Sequence, residues 1–118
     1  MRRYIADNAA DSRDVLMRLF AERERYATLF MYSITHSTAE VAIHDGFPFK
    51  RWPLNCTGVT EIRGIVSGGP YDLNVVEDGA QWTICWGDGA FVVKCESFAI
   101  GEFGLGRSPE APGEMFGK

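Results

Sequence analysis

The stretch YDLNVVEDGAQWTICWGDGAFVVKCE, residues 71–96, decides the fold, because it reads as a three-strand antiparallel meander with both turns specified. Asp78-Gly79 and Asp88-Gly89 each separate runs rich in β-branched and aromatic residues, the strongest short-range hairpin signal. Two-residue turns at both places set Leu73 opposite Ile84 and Val75 opposite Trp82, then Trp86 opposite Phe91, Ile84 opposite Val93 and Trp82 opposite Cys95. One face then carries Tyr71, Leu73, Val75, Trp82, Ile84, Trp86, Phe91, Val93 and Cys95. The other carries Asp72, Asn74, Val76, Gln81, Thr83, Cys85, Val92, Lys94 and Glu96. A slip of one residue would mix the two sets, so burial fixes the sorting.

Upstream, Thr57 to Val66 alternates, with Val59, Glu61, Arg63 and Ile65 on one side and Thr60, Ile62 and Val66 on the other, and Ser67-Gly68-Gly69-Pro70 turns into the meander. Downstream, Phe98 and Ile100 take the parity of the polar face, which predicts a bulge near Ser97 or a new strand after a bend. Residues 47–55, FPFKRWPLN, hold two prolines and three aromatics, and the prolines argue against a central strand, so this reads as a connection. Before it, LFMYSIT and HSTAEVAIHDG read as a hairpin turning near Ser37-Thr38, with Ile34 facing Val41, Tyr32 facing Ile43 and Met31 facing His44.

Near the N-terminus, Asp11 or Ser12 is the expected N-cap of an amphipathic helix of about four turns. Val15, Leu16, Leu19 and Phe20 form its apolar stripe, Ala27 and Phe30 extend it, and Arg13, Arg18, Glu22, Arg23 and Arg25 fall mostly on the outer side. The reading is α+β: an N-terminal amphipathic helix packed on a curved antiparallel β-sheet of five to six strands, in a single domain over residues 1–105, with a flexible C-terminal tail over 106–118.

Composition limits the partners. With 118 residues, 46% of them hydrophobic, one core is expected. A net charge of -4, from 12 basic and 16 acidic residues, supplies no field for nucleic acid or an anionic membrane. No apolar run approaches a membrane span and the first residues lack a signal-peptide core, so a cytoplasmic protein is expected. Cys56, Cys85 and Cys95 are an odd count without a paired spacing, which predicts three free thiols and no metal.

No motif identifies a reaction. His36 and His44 are the only histidines, and the hairpin register sets them on opposite faces, too far apart to share a metal. A cofactorless enzyme would pair one of them with a carboxylate such as Asp72 or Glu96, and a working carboxylate would need Asp72, Glu96 or Glu102 to be held in an apolar pocket. Phe47, Phe49, Lys50, Arg51 and Trp52 are the candidate recognition segment, since aromatics beside cations anchor protein or ligand surfaces. The structural alternative is that the three rings merely cover a sheet edge. Val76, Cys85 and Val92 would leave apolar area on the second sheet face. The expectation is therefore a homodimeric, non-catalytic binding module for a protein or small ligand, without cofactor; the alternative is the small enzyme.

Overall fold

The computed structural model describes residues 4–22, 25–45, 47–67, 72–102 and 104–105. It has the expected α+β architecture, with an N-terminal helix on antiparallel strands, but the strands form two sheets instead of one. The first sheet runs in the order β1 (Tyr4–Ala6), β9 (Ser97–Gly101), β4 (Phe47–Thr57), β3 (Thr38–Asp45), β2 (Tyr26–Ser33), with β10 (Gly104–Leu105) added to β4. The second runs β5 (Glu61–Arg63), β8 (Phe91–Cys95), β7 (Gln81–Trp86), β6 (Leu73–Asp78). Tyr71 and the tail from residue 106 lie outside the described residues.

The meander is β6 to β8. Its second hairpin has the expected register, with Trp86 opposite Phe91, Ile84 opposite Val93 and Trp82 opposite Cys95. The first is displaced by two residues, so that Leu73 meets Trp86 and Val75 meets Ile84, because the loop is Gly79-Ala80 and Asp78 pairs with Gln81. An even displacement leaves every side chain on its face. Trp82, Ile84, Trp86, Phe91, Val93 and Cys95 are accordingly buried. Val92 departs from the expected open face: it is buried as well, because β5 adds a neighbour and sets Arg63 beside it, with Cys85 on its other side.

The two sheets are joined by a bent ladder. β4 and β9 pair as far as Thr57 opposite Ser97, then both chains turn the corner and pair again as β5 and β8, Glu61 opposite Lys94. The Glu96 N–H donates to the carbonyls of Thr57 (3.0 Å) and Gly58 (3.1 Å) at the bend. Gly58 has φ +64° there, and a Cβ on it would lie 2.6 Å from the Glu96 side chain. The phase change after Glu96 is thus a new strand in the other sheet. The expected strand Thr57 to Val66 is divided by the same corner, leaving only Glu61–Arg63 in the second sheet, with Ile62 turned toward the core.

Residues 47–57 are the main correction. They form an interior strand, β4, between β3 and β9, and both prolines sit where a ladder is interrupted. The β3 register shifts between His44, opposite Arg51, and Asp45, opposite Phe47, so Pro48 lies beside that irregularity. Pro53 pairs with Ala42 on one side. On its other side β9 pairing stops at Leu54 and β10 pairing resumes at Arg51. A missing N–H costs little where no continuous ladder runs.

The helix α1 spans Ala9–Glu22 and has the expected length, but lies nearer the N-terminus. Its cap is Asn8, in place of Asp11 or Ser12: the Asn8 Oδ1 accepts the Asp11 N–H at 2.8 Å, and the Asn8 Nδ2 donates to the Asp11 carboxylate at 2.9 Å. Ser12 is buried, donating to the Ala6 carbonyl (3.2 Å) and accepting from the Ile100 N–H (3.1 Å), which ties the helix to β1 and β9. Val15, Leu16, Leu19 and Phe20 are buried as the stripe requires, each contributing roughly 1.5–3 kcal/mol of apolar burial. Ala27 and Phe30 belong to β2. The helix contacts β1, β9 and β6, closing the side of the molecule where the two sheet edges meet.

The opposite side is closed by residues 65–67. Leu29 N–H donates to Ile65 O (2.8 Å) and Ser67 N–H to Ala27 O (2.9 Å), so this segment leaves β5 and pairs with β2. Gly64, at φ +76°, makes the turn possible; a Cβ on it would lie 2.0 Å from the Ala90 carbonyl oxygen. One core then fills the space between the sheets, with Trp82 edge-on to Phe98 at 5.5 Å.

Candidate functional site

On the outer face of the first sheet, β2, β3 and β4 bring Tyr26, Thr28, Phe30, Ala42, His44 and Arg51 together. The His44 ring stacks on Tyr26, 4.6 Å between centroids and 14° between planes. Its Nε2 is 2.8 Å from the Thr28 hydroxyl. Its Nδ1 is buried and has no hydrogen-bond partner among the described residues. Burial, and then the neighbouring Arg51 cation, hold the His44 pKa below its ordinary value of 6.5. Arg51 lies over the Phe30 ring at 4.4 Å, reaching diagonally across β3, where Ala42 is small enough to pass beneath it and is buried as a result.

Trp52, one residue on, points the other way and is buried in the core with Arg25 stacked at 4.9 Å from its ring centre. Arg25 is buried too, contrary to its expected outer position. It lies beyond the helix, and its guanidinium donates to the Leu19 carbonyl and lies 3.3 Å from the Glu22 carboxylate. The recognition segment is therefore divided by strand alternation: Arg51 on the outer face, Trp52 inside. Phe47, Phe49 and Lys50 belong to β4 by backbone, and their side chains lie outside the described residues.

The histidine and carboxylate candidates are not assembled. His36 sits in the four-residue turn 34–37, its Nδ1 3.1 Å from the Ser33 hydroxyl, and the pairing of Ser33 with Thr38 replaces the expected later turn. His44 pairs with Tyr26, at the far end of that hairpin. Asp72 stands just before β6 of the second sheet, lining a depression of about 540 Å³ with Leu73, Asn74, Cys85, Asp88 and Gly89. Glu96 is exposed at the corner beside Gly58, and Glu102 is exposed beyond β9. Among the described residues no group of three His, Cys, Asp or Glu is placed to hold a metal. Nor is any helix among them long and apolar enough to cross a membrane.

The three cysteines are free thiols. Cys56 and Cys95 meet in the core, where the contact with Cys95 and then burial raise the Cys56 pKa well above the usual thiol range. These are inert packing groups.

Val76 on β6 is exposed, as expected for the second sheet face, and Tyr4, Ile5 and Met17 are exposed near the N-terminus, but a further apolar group lies where the sequence raised no expectation. Met31 and Tyr32, on β2 past the bulge at Phe30, are 53% and 43% exposed; Ile34 in the turn is 78% exposed. Ile65 and Val66, on the segment paired to β2, are 65% and 47% exposed. The signal available was residues 26–35, YATLFMYSIT, ten in succession without a charge. Compared with family models, curated proteins and solved structures, the chain matches none.

Proposed function

We propose that the chain is a non-catalytic interaction module that docks an extended partner segment along β2. The observation that carries this reading is the exposed group Met31, Tyr32, Ile34, Ile65 and Val66, on both faces of a strand whose outer side, past Leu29, has no backbone partner among the described residues. Strand addition uses such an edge: main-chain groups supply affinity, and apolar side chains on either side supply contact. Other edges are defended. β6 carries Glu77 and Asp78 with Asp72 just before it, β5 carries Glu61 and Arg63, and β1 is three residues long and irregular. Charge and brevity are two of the usual protections of an unpaired edge, and β2 has neither; its one irregularity is the bulge at Phe30.

The recognition role of Phe47, Phe49, Lys50, Arg51 and Trp52 is narrowed by this reading to Arg51, which borders β2 through Phe30. For the enzyme alternative, His44 stands in the first sheet and Asp72 just before β6 of the second, and no carboxylate meets the His44 ring among the described residues. A titration tests the module: uncharged hexapeptides alternating Val, Thr and Tyr are added while the methyl signals of Met31, Ile34, Ile65 and Val66 are followed by NMR. Saturable shifts at these methyls, with Leu73 unmoved, are expected. Shifts confined to Leu73 and its neighbours would transfer the site to the second-sheet depression and overturn the proposal.

A further inference from the structure

We infer that the segment docked on β2 is β2 of a second copy of this chain, related by a twofold axis passing near Tyr32. The inference rests on the module reading above and names its partner. Three observations lead to it.

The first is charge. The chain carries a net charge of -4, a weak overall repulsion between copies, and residues 26–35 are uncharged and can face themselves without like charges meeting. Antiparallel pairing about Tyr32 brings Tyr32 against its own copy, Met31 against Ser33, and Phe30 toward Ile34, an aromatic pair with no charge in either flanking pair. Two copies of β6 would instead bring Glu77 and Asp78 together.

The second is area. Met31, Tyr32, Ile34, Ile65 and Val66 together expose on the order of 500 Å². A specific dimer of ordinary size covers ~800 Å² on each partner, of which roughly 60% is apolar. The patch supplies about that apolar share, and the β2 backbone with the polar side chains around it supplies the rest.

The third is hazard. Residues 29–34, LFMYSI, are an uncharged window of strong β-formers without proline, the composition that joins strands indefinitely when its edge is open. A twofold axis uses the edge on both copies and ends the growth.

Sedimentation from ~1 µM to ~1 mM reads the mass. The wild type is expected to reach a dimer. Ile34→Lys changes an exposed turn residue and should weaken association at least ~10-fold while the thermal melt is preserved. Tyr32→Lys and Tyr32→Glu place like charges across the axis, so each alone should be monomeric, whereas their mixture should recover a heterodimer. A folding defect could not produce that recovery. A wild type monomeric throughout that still binds the hexapeptides at Met31 and Ile34 would overturn self-pairing and leave the module standing. A dimer that survives Ile34→Lys and both Tyr32 variants would overturn it as well. Monomers that also ignore the peptides would remove both proposals.

Discussion

Gly64→Ala tests how the two sheets are closed on each other. At φ +76° an L side chain sits in the left-handed region, a cost of ~1–2 kcal/mol. The new Cβ would also lie 2.0 Å from the Ala90 carbonyl oxygen, which is backbone and cannot swing aside, so the turn 87–90 or the start of β8 must shift. Displacement of packed elements costs ~1–3 kcal/mol, so the sum is about 2–5 kcal/mol. Gly79→Ala is the control: φ is +64°, yet nothing lies within 4 Å, and only the conformational share, ~1–2 kcal/mol, should appear. Gly58→Ala should fall between, because the atoms it meets belong to the exposed Glu96 side chain, which can turn away. Urea denaturation of the three variants, compared at a common slope, gives the order Gly64 > Gly58 > Gly79. A Gly64→Ala cost within ~0.5 kcal/mol of the Gly79→Ala cost, the usual spread of neutral surface changes, would mean that Gly64 is not held against Ala90. The crossing of residues 65–67 to β2 would then lose its explanation.

Further outcomes follow from the core and the titrating groups. Trp82→Ala should cost about 3–5 kcal/mol, as for other large buried aromatics, since Trp82 packs against Phe98; a change below about 1 kcal/mol in denaturation would contradict that placement. The folded state disfavours the His44 proton relative to the unfolded chain, so the stability linked to His44 is complete above pH 6.5 and is lost as pH falls through the lowered folded value. His44→Gln should flatten the stability profile between pH 8 and 5, and parallel profiles for variant and wild type would refute the linkage. Alkylation without reductant should label three thiols in unfolded protein but neither Cys56 nor Cys95 in the native state. Rapid native labelling at either would place it outside the core.

What burial dictates was legible, and what the backbone accomplishes between elements was not. The meander was readable because alternation over Trp82 to Trp86 and Phe91 to Cys95 admits one sorting. The stripe from Val15 to Phe20 was readable for the same reason at helical period. The helix ends were misplaced because capping is a matter of one side chain: Asn8 wins over Ser12, whose hydroxyl is taken by Ala6 and Ile100. The strand β4 was missed because Pro48 and Pro53 count against a central strand, and only the three-dimensional pairing reveals that each falls at an interrupted ladder. The division into two sheets was hidden at Gly58 and Glu96, where one residue in each strand redirects the pair.

The candidate site failed to appear in the sequence for a related reason. Aromatics next to cations drew attention to Phe47–Trp52, but strand alternation sends Trp52 inward to Arg25 and Arg51 outward to Phe30. Neighbours in sequence became members of different surfaces. The β2 edge announces itself by what it lacks: charge, across residues 26–35, in a chain where Glu77 and Asp78 on β6 and Glu61 on β5 guard other edges. Absence of charge has two meanings in a sequence, burial in a core or a surface meant to be covered, and the alternation of Ala27 and Leu29 inward fits the first. Only the bulge at Phe30 separates the two. Before it, β2 is sealed by Ile65 and Ser67; after it, Met31, Tyr32 and Ile34 leave the shelter of the sheets with their apolar character intact. Past the bulge β2 stays paired to β3, Met31 opposite Glu40 and Tyr32 opposite Ala39, while among the described residues its other side has left the contacts with Ile65 and Ser67 behind.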